Sequence, residues 1–483
     1  MRTFQRAPLS ILVLFISIAI ISALALTTNA GRALGPSAHA APAAQNAPQT
    51  FTWSMAKRFG PKRPDGIVDY HWKAGAYERD YVNPNGWKVD FDACGLGELA
   101  GSTFAWEVNG VAVVNPNPTL CTFSHEFKDQ AVYAVRAIRT NPDQTTTTFD
   151  STVTIKDILI VSLGDSFASG QGNPDIRKDG STPAKWVDEI CARSSKAGPA
   201  QAAIEIEDAD KHTSVTFLSY ACTGAEIQDG ILADQTRGTV KVEPQIKRLK
   251  QALAGRPIDA LIMSAGGNDI GFSELVARCI AQLKNCNDSE KTLSKFNSGI
   301  GRLDDRYKEL NKKIKDLPSV KKVFITEYPD LVRDESGKLC DGRGLLHALK
   351  NPLEGIKEDE ARWASEHVIT DLNTRVKAAA DLYGWVYVTG IFNEFKPHGY
   401  CAENTPQQIR RWVRTFAEAK EFQGVDGRCD IPTIVDPERF IPALRECLIS
   451  SGSVHPTEEG HQAYRKFLVD ALRNAGITAL PGS

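Results

Sequence analysis

Apolar positions follow two different periods along this chain. From about residue 51 to 155, apolar and polar residues alternate in short runs: Trp87 to Phe91, Thr103 to Val108, Ala131 to Ala137 and Thr147 to Ile155. Turn-forming stretches separate them, at Asn83 to Gly86, Asn109-Gly110, Asn115 to Pro118 and Asn141 to Asp143. Period-two alternation between turns predicts an antiparallel β-sandwich. From Asp157 the pattern changes. Mostly apolar runs at 158–163, 215–219, 258–264, 322–326 and 385–389 read as strands buried on both faces. Helical stretches at 197–208, 244–254, 288–315 and 359–382 lie between or after them, and a last one covers Thr457 to Ala475. In the third, Leu293, Phe296, Ile300, Leu303, Tyr307, Leu310 and Ile314 recur at spacings of three and four, the stripe of a helix packed on a sheet. The fold expected is α/β: a three-layer α/β/α domain with a five-stranded parallel sheet, preceded by a small all-β sandwich.

The N-terminus adds an address. Arg2 and Arg6 precede an uncharged run from Ile11 to Leu26, and small residues follow. This is the pattern of a secretory signal peptide, cleaved after Ala30 or Ala40. The alternative is an uncleaved anchor, for which the run is shorter than the ~20 residues of a membrane span. The expected organisation is signal and leader over 1–40, linker over 41–50, sandwich over 51–155 and α/β domain over 156–483. Of 483 residues, 42% are hydrophobic and 24% charged, with a net charge of −2, so neither a nucleic acid nor a membrane surface is called for. The ten cysteines, at 94, 121, 191, 222, 279, 286, 340, 401, 429 and 447, all follow the signal. An even number in an exported chain points to disulfides, and no zinc-type spacing is present. Pairing of sequence neighbours is the simplest expectation, with 94–121 cross-linking the sheets of the sandwich. No cofactor or metal is implied. The chain is expected to be a secreted monomer without stable membrane insertion once the signal is removed.

Four points in the α/β portion carry chemistry, and three of them directly follow a predicted strand. They are Gly164-Asp165-Ser166, then Ala221 to Ala225 around Gly224, then Gly266 to Ile270 around Asn268, and finally His455-Pro456 before the last helix. Ends of parallel strands share one edge of the sheet, where ligands bind. Ser166 is a candidate nucleophile, and a histidine could take its proton near neutral pH. Each residue has a plainer explanation. Ser166 could belong to an ordinary turn, Gly224 to another, Asn268 or Asp269 could cap a helix, and His455 could be a surface histidine.

The four blocks in this order resemble the SGNH or GDSL hydrolases, over about 157 to 475. Ser166 to Gly172, Cys191 to Ser194, Ala221 to Ala225 and His398 to Cys401 resemble the secreted, disulfide-bearing esterase and lipase branch. The resemblance implies Ser166 as nucleophile and oxyanion donor, Gly224 and Asn268 as further oxyanion donors, and His455 as base. One position departs from the pattern. The family usually has Asp three residues before the histidine, and here it is Gly452. No carboxylate on that side is nearer than Glu446. Some members of the branch use a main-chain carbonyl instead, which implies a Ser166–His455 dyad with a carbonyl near Gly452 accepting from the imidazole. The N-terminal segment resembles PKD-like and other immunoglobulin-like modules at the level of fold. A secreted hydrolase of acyl or acetyl esters follows, including lipid esters. A carbohydrate deacetylase and an inactive binding protein are the alternatives. Asp165 and His461 are expected to be structural, and His398 structural or at the cleft rim.

Overall fold

The computed structural model describes residues 50–69, 71–97, 100–281, 285–342, 356–424 and 452–477. The signal segment, Glu446, Cys429 and Cys447 lie outside them. The sheet has five strands: β1 (Lys156–Gly164), β2 (Thr213–Ser219), β3 (Ile258–Ser264), β4 (Val320–Thr326) and β5 (Val386–Val388). Their order is β2-β1-β3-β4-β5, and every pair is parallel. Leu159 to Val161 on β1 and Ala260 to Met263 on β3 are sealed from solvent, as strands covered on both faces must be. Helix Gly198–Asp208 packs against Glu458–Asn474, and Glu290–Lys315 against Thr370–Tyr383. The fold is α/β, with a parallel five-stranded sheet and helices packed on it. Ser162 is level with Ser219, and Gly164 with Ser264. The three chains leaving β1, β2 and β3 therefore start from one edge.

The stretch expected as one helix over 359–382 is three pieces. They are Glu358–Trp363, a π-helical turn at Ala364–Ile369, and Thr370–Tyr383. Such a turn adds a residue and rotates the faces on either side.

The β-sandwich has a three-stranded sheet (Thr52–Met55, Trp87–Asp92, Thr122–Phe127) and a four-stranded one (Val111–Val113, Thr103–Val108, Val132–Thr140, Thr146–Thr154). Aromatic rings fill the space between them, with Phe91 and Trp106 at 5.2 Å and Trp106 and Phe123 at 5.3 Å. The Cys94–Cys121 disulfide does not join the two sheets as expected. Cys94 follows one strand and Cys121 precedes another, and these strands pair side by side in the same sheet, Asp92 opposite Thr122.

The sandwich is not a separate bead. Only Ile155 separates its last strand from β1, and the chain from Gln49 on forms one compact unit. Phe59, Val68, Trp72, Tyr77, Tyr81 and Val82, expected inside the sandwich, are buried in the α/β core instead. They close the exposed side of β2, the sheet's edge strand. The Tyr81 hydroxyl accepts from Phe217 N–H at 2.8 Å and donates to Phe217 O at 3.1 Å. The Tyr77 hydroxyl accepts from Ser219 N–H at 2.8 Å. Two tyrosines thus satisfy backbone groups that an open edge would offer to another chain.

Candidate active site

The turn after β1 needs glycine. Gly164 has φ 128°, and a Cβ there would lie 2.1 Å from the Ser264 carbonyl oxygen. The chain then starts the short helix Ser166–Ser169, with Asp165 as its N-cap accepting from Phe167 N–H at 3.0 Å. The other Asp165 oxygen accepts from the Tyr328 hydroxyl at 2.5 Å. Burial pushes the Asp165 carboxyl up to about 6, and these hydrogen bonds partly offset it. Asp165 therefore fixes the turn, and it places Ser166 at the start of a helix.

His455 reaches this point from the other end of the α/β domain. Its Nε2 lies 2.7 Å from Ser166 Oγ, and its Nδ1 lies 2.8 Å from the Ser453 carbonyl oxygen. A carbonyl can only accept, so Nδ1 carries the hydrogen and Nε2 is left to accept from the serine hydroxyl. Among the described residues no carboxylate bonds this imidazole. Burial lowers its pKa to about 4, partly countered by the Ser453 and Gly452 carbonyls. At neutral pH it is an uncharged base.

Residues 452–457, which carry His455, form no helix or strand of their own, and neighbours hold them. Val454 N–H donates to Arg414 O at 2.8 Å, Arg414 N–H to His455 O at 2.7 Å, and Thr457 N–H to Trp412 O at 2.7 Å. The buried Arg414 guanidinium donates to Asn173 Oδ1 at 2.6 Å, and Asn173 Nδ2 to Pro456 O at 2.7 Å. That network ties the end of the nucleophile turn to the histidine loop. Val454 sits at φ 62°, a conformation a β-branched residue adopts only when its surroundings impose it. Gly452 has φ 73°, and a Cβ there would lie 2.8 Å from the Gly172 backbone. A Cβ on Gly172 would lie 2.9 Å from Gly452 O. The two glycines let these backbones touch, so the position where the family has Asp is one where no side chain fits.

Asn268 lines the same cleft as Ser166 and His455. Its Nδ2 donates to Ala225 O at 3.0 Å, which leaves the second amide hydrogen for the cleft. Gly224 precedes that Ala225 in a turn with φ 74°, but it does not line the cleft. A Cβ on it would point toward Arg237 Nη1 at 3.2 Å, so glycine is explained here by backbone conformation. Among the described residues, the Ser166 and Gly224 N–H groups donate no hydrogen bond. Asp269, expected as a helix cap, instead accepts from Ile227 N–H at 3.0 Å and faces Arg306 at 3.4 Å. Burial pushes its carboxyl up to about 7.

Tyr328 is the residue the motifs did not announce. It stands two positions past β4, at the same sheet edge, and that position was its only signal. Its hydroxyl accepts from Gly267 N–H at 2.9 Å while donating to Asp165. One buried oxygen thus joins the nucleophile turn to the Asn268 turn. His461 and His398 stay out of the site. His461 is sealed in the last helix and its Nδ1 accepts from Gly198 N–H at 3.2 Å. His398 stacks on Trp412 at 3.6 Å and bonds Arg410 O. Three disulfides brace the surroundings, Cys191–Cys222, Cys279–Cys286 and Cys340–Cys401, each between sequence neighbours. The pairing expected for Cys429 and Cys447 falls outside the described residues.

A serine and a neutral histidine in contact, in one cleft with the Asn268 amide and with the Ser166 N–H open, form a centre suited to acyl transfer. The sequence profile of the GDSL-like Lipase/Acylhydrolase family matches residues 162–463. The chain belongs to that family, and it is a carboxylic ester hydrolase. A characterised relative, Lipase 1 of Streptomyces coelicolor, is 27% identical over 259 residues, covering 52% of this chain and 76% of the lipase. Among solved structures, an extracellular lipase from Streptomyces rimosus aligns with TM-score 0.41 and 20% identity, over 66% of this chain and 99% of that one. Phospholipase A1 from Streptomyces albidoflavus NA297 aligns with TM-score 0.38 and 21% identity, over 66% and 98%.

Proposed function

We propose that the protein is a secreted serine hydrolase that cleaves acyl esters through a Ser166–His455 dyad. His455 Nε2 takes the Ser166 proton as Oγ attacks the ester carbonyl carbon. The carbonyl oxygen gains negative charge and is met by the Asn268 amide, with the Ser166 and Gly224 N–H groups as further donors. His455 then returns the proton to the departing alcohol, leaving an acyl ester on Ser166. Water, deprotonated by the same nitrogen, releases the acid and restores the serine. The Ser453 carbonyl keeps the imidazole in one orientation and tautomer, the work a carboxylate does in a triad. Disulfides and the apolar N-terminal run after Arg2 and Arg6 support export.

The observation that carries this proposal is the continuous chain of contacts from Ser166 Oγ through His455 to Ser453 O, with both hydrogen bonds under 3 Å. The test is hydrolysis of p-nitrophenyl butyrate by wild type and by Ser166→Ala. Turnover by wild type, lost in the variant, is expected. Equal rates would remove Ser166 from the reaction.

A further inference from the structure

Resting on that assignment of Ser166, we infer that the cleft continues into a pocket for the acyl chain, so that the preferred substrates are esters of medium or long fatty acids rather than acetates. The cleft at Ser166 is lined largely by apolar side chains, Phe167, Phe272, Val276, Leu331 and Leu372 among them. A second cavity shares five of its wall residues, Phe272, Val276, Leu331, Ile369 and Val454. Every side chain lining this second cavity is apolar, and Cys279 is held in a disulfide. Leu275, Trp363 and Val368 form its far part. Ala364, Val368 and Ile369 all come from the π-helical turn, which sets them on one wall. An acetyl group needs no such space. A sugar would need polar partners that the wall does not offer.

The chemistry decides which arm of the ester enters. The alcohol oxygen has to face His455 Nε2 to receive its proton, and the carbonyl oxygen has to face Asn268. The acyl substituent is the arm left. Phe272, Leu275 and Val276 lie on the helix Phe272–Ala281, immediately after the Asn268 turn. An acyl chain would therefore run along that helix into the second cavity, and it would stay there through the acyl-enzyme.

The test measures kcat/KM over p-nitrophenyl esters from acetate to dodecanoate, and over acetate esters of alcohols from methyl to octyl. Ser166 is labelled with a fluorophosphonate in parallel. The acyl series should rise by about fourfold per methylene until the pocket fills, because each buried methylene adds a similar transfer free energy. The alcohol series should stay nearly flat. In Val276→Trp the octanoate-to-acetate ratio should fall by at least about tenfold, since a filled pocket resists overpacking. In Trp363→Ala the optimum should move to longer acyl chains. With Ser166 labelled, an acyl series that is flat or highest at acetate would overturn the pocket alone. A rise confined to the alcohol series would overturn the choice of arm. Absence of label would overturn the enzyme assignment and the pocket with it.

Discussion

Two loops meet at the active centre, and they are held in opposite ways. The nucleophile turn hangs on regular structure: β1 before it, a capped helix after it, and β3 alongside through Asp165 N–H to Ser264 O. The histidine loop leads into the helix Glu458–Asn474 on its downstream side. It is held by backbone bonds to residues 412–414, by the Arg414–Asn173 pair and by the close approach of Gly452 to Gly172. The first loop depends on the strand and capped helix that it joins, with Ser264 and Tyr328 fastened to Asp165. The second depends on residues far away, and it is there that the usual carboxylate is replaced by a carbonyl.

Removing a reacting group should have the largest effect. Ser166→Ala or His455→Ala should each cut kcat by about 10⁴-fold or more, and the double variant should be little worse, because the two act as one unit. Additive losses would mean that they work separately. Asn268→Ala should come next, with kcat down by roughly 10²- to 10³-fold and KM little changed. A loss confined to KM would make Asn268 a ground-state contact.

Gly452→Asp asks whether the histidine loop lacks anything. It restores the residue usual in the family, but at a positive φ and within 2.8 Å of the Gly172 backbone. We expect about 1–3 kcal/mol of lost stability, read by chemical denaturation, and a lower kcat. A rise in kcat would show that the carbonyl is an inferior support and that the loop can open. Tyr328→Phe should be milder: about a tenfold loss in kcat with KM kept, as the two hydrogen bonds of the bridging hydroxyl, to Asp165 and from Gly267 N–H, are removed. Its effect should be less than additive with Asn268→Ala, since both act on the same turn.

The pH dependence sharpens the contrast further. With His455 lowered to about 4 by burial, kcat/KM should stay level well below neutrality and fall only through that pH. An acid limb near 6.5, the ordinary histidine value, would mean that water reaches the imidazole. Stability follows the same shift. Between about 4 and 6.5 the unfolded chain binds the proton that folded His455 refuses, so this contribution falls as pH drops through that window. Asp165 and Asp269 act in the other direction. Their folded values, about 6 and about 7, exceed the unfolded value, so their contribution falls as pH rises through those ranges.

What the sequence disclosed follows the same division. The five strands were legible because a buried parallel strand writes its apolarity in consecutive residues. Ser166 and His455 stood in short local motifs. The carbonyl partner was legible only as a missing Asp, and it is Ser453 O rather than a group at Gly452 itself that lies nearest. The contacts that hold the histidine loop were not legible. Arg414 and Asn173 are 241 residues apart, and no spacing rule links them. Tyr77 and Tyr81 were hidden because they cap a strand edge with hydroxyls, in a segment whose apolar pattern resembled neither domain. The Cys94–Cys121 pair was legible as a pair, but its place within one sheet depended on which strands are neighbours.

The most direct test is peptide mapping after fluorophosphonate treatment of wild type and His455→Ala. A single adduct on Ser166 in wild type, slowed by several orders of magnitude in the variant, is the expected result. An adduct on another residue, or labelling of Ser166 that does not depend on His455, would contradict a serine activated by a carbonyl-held histidine.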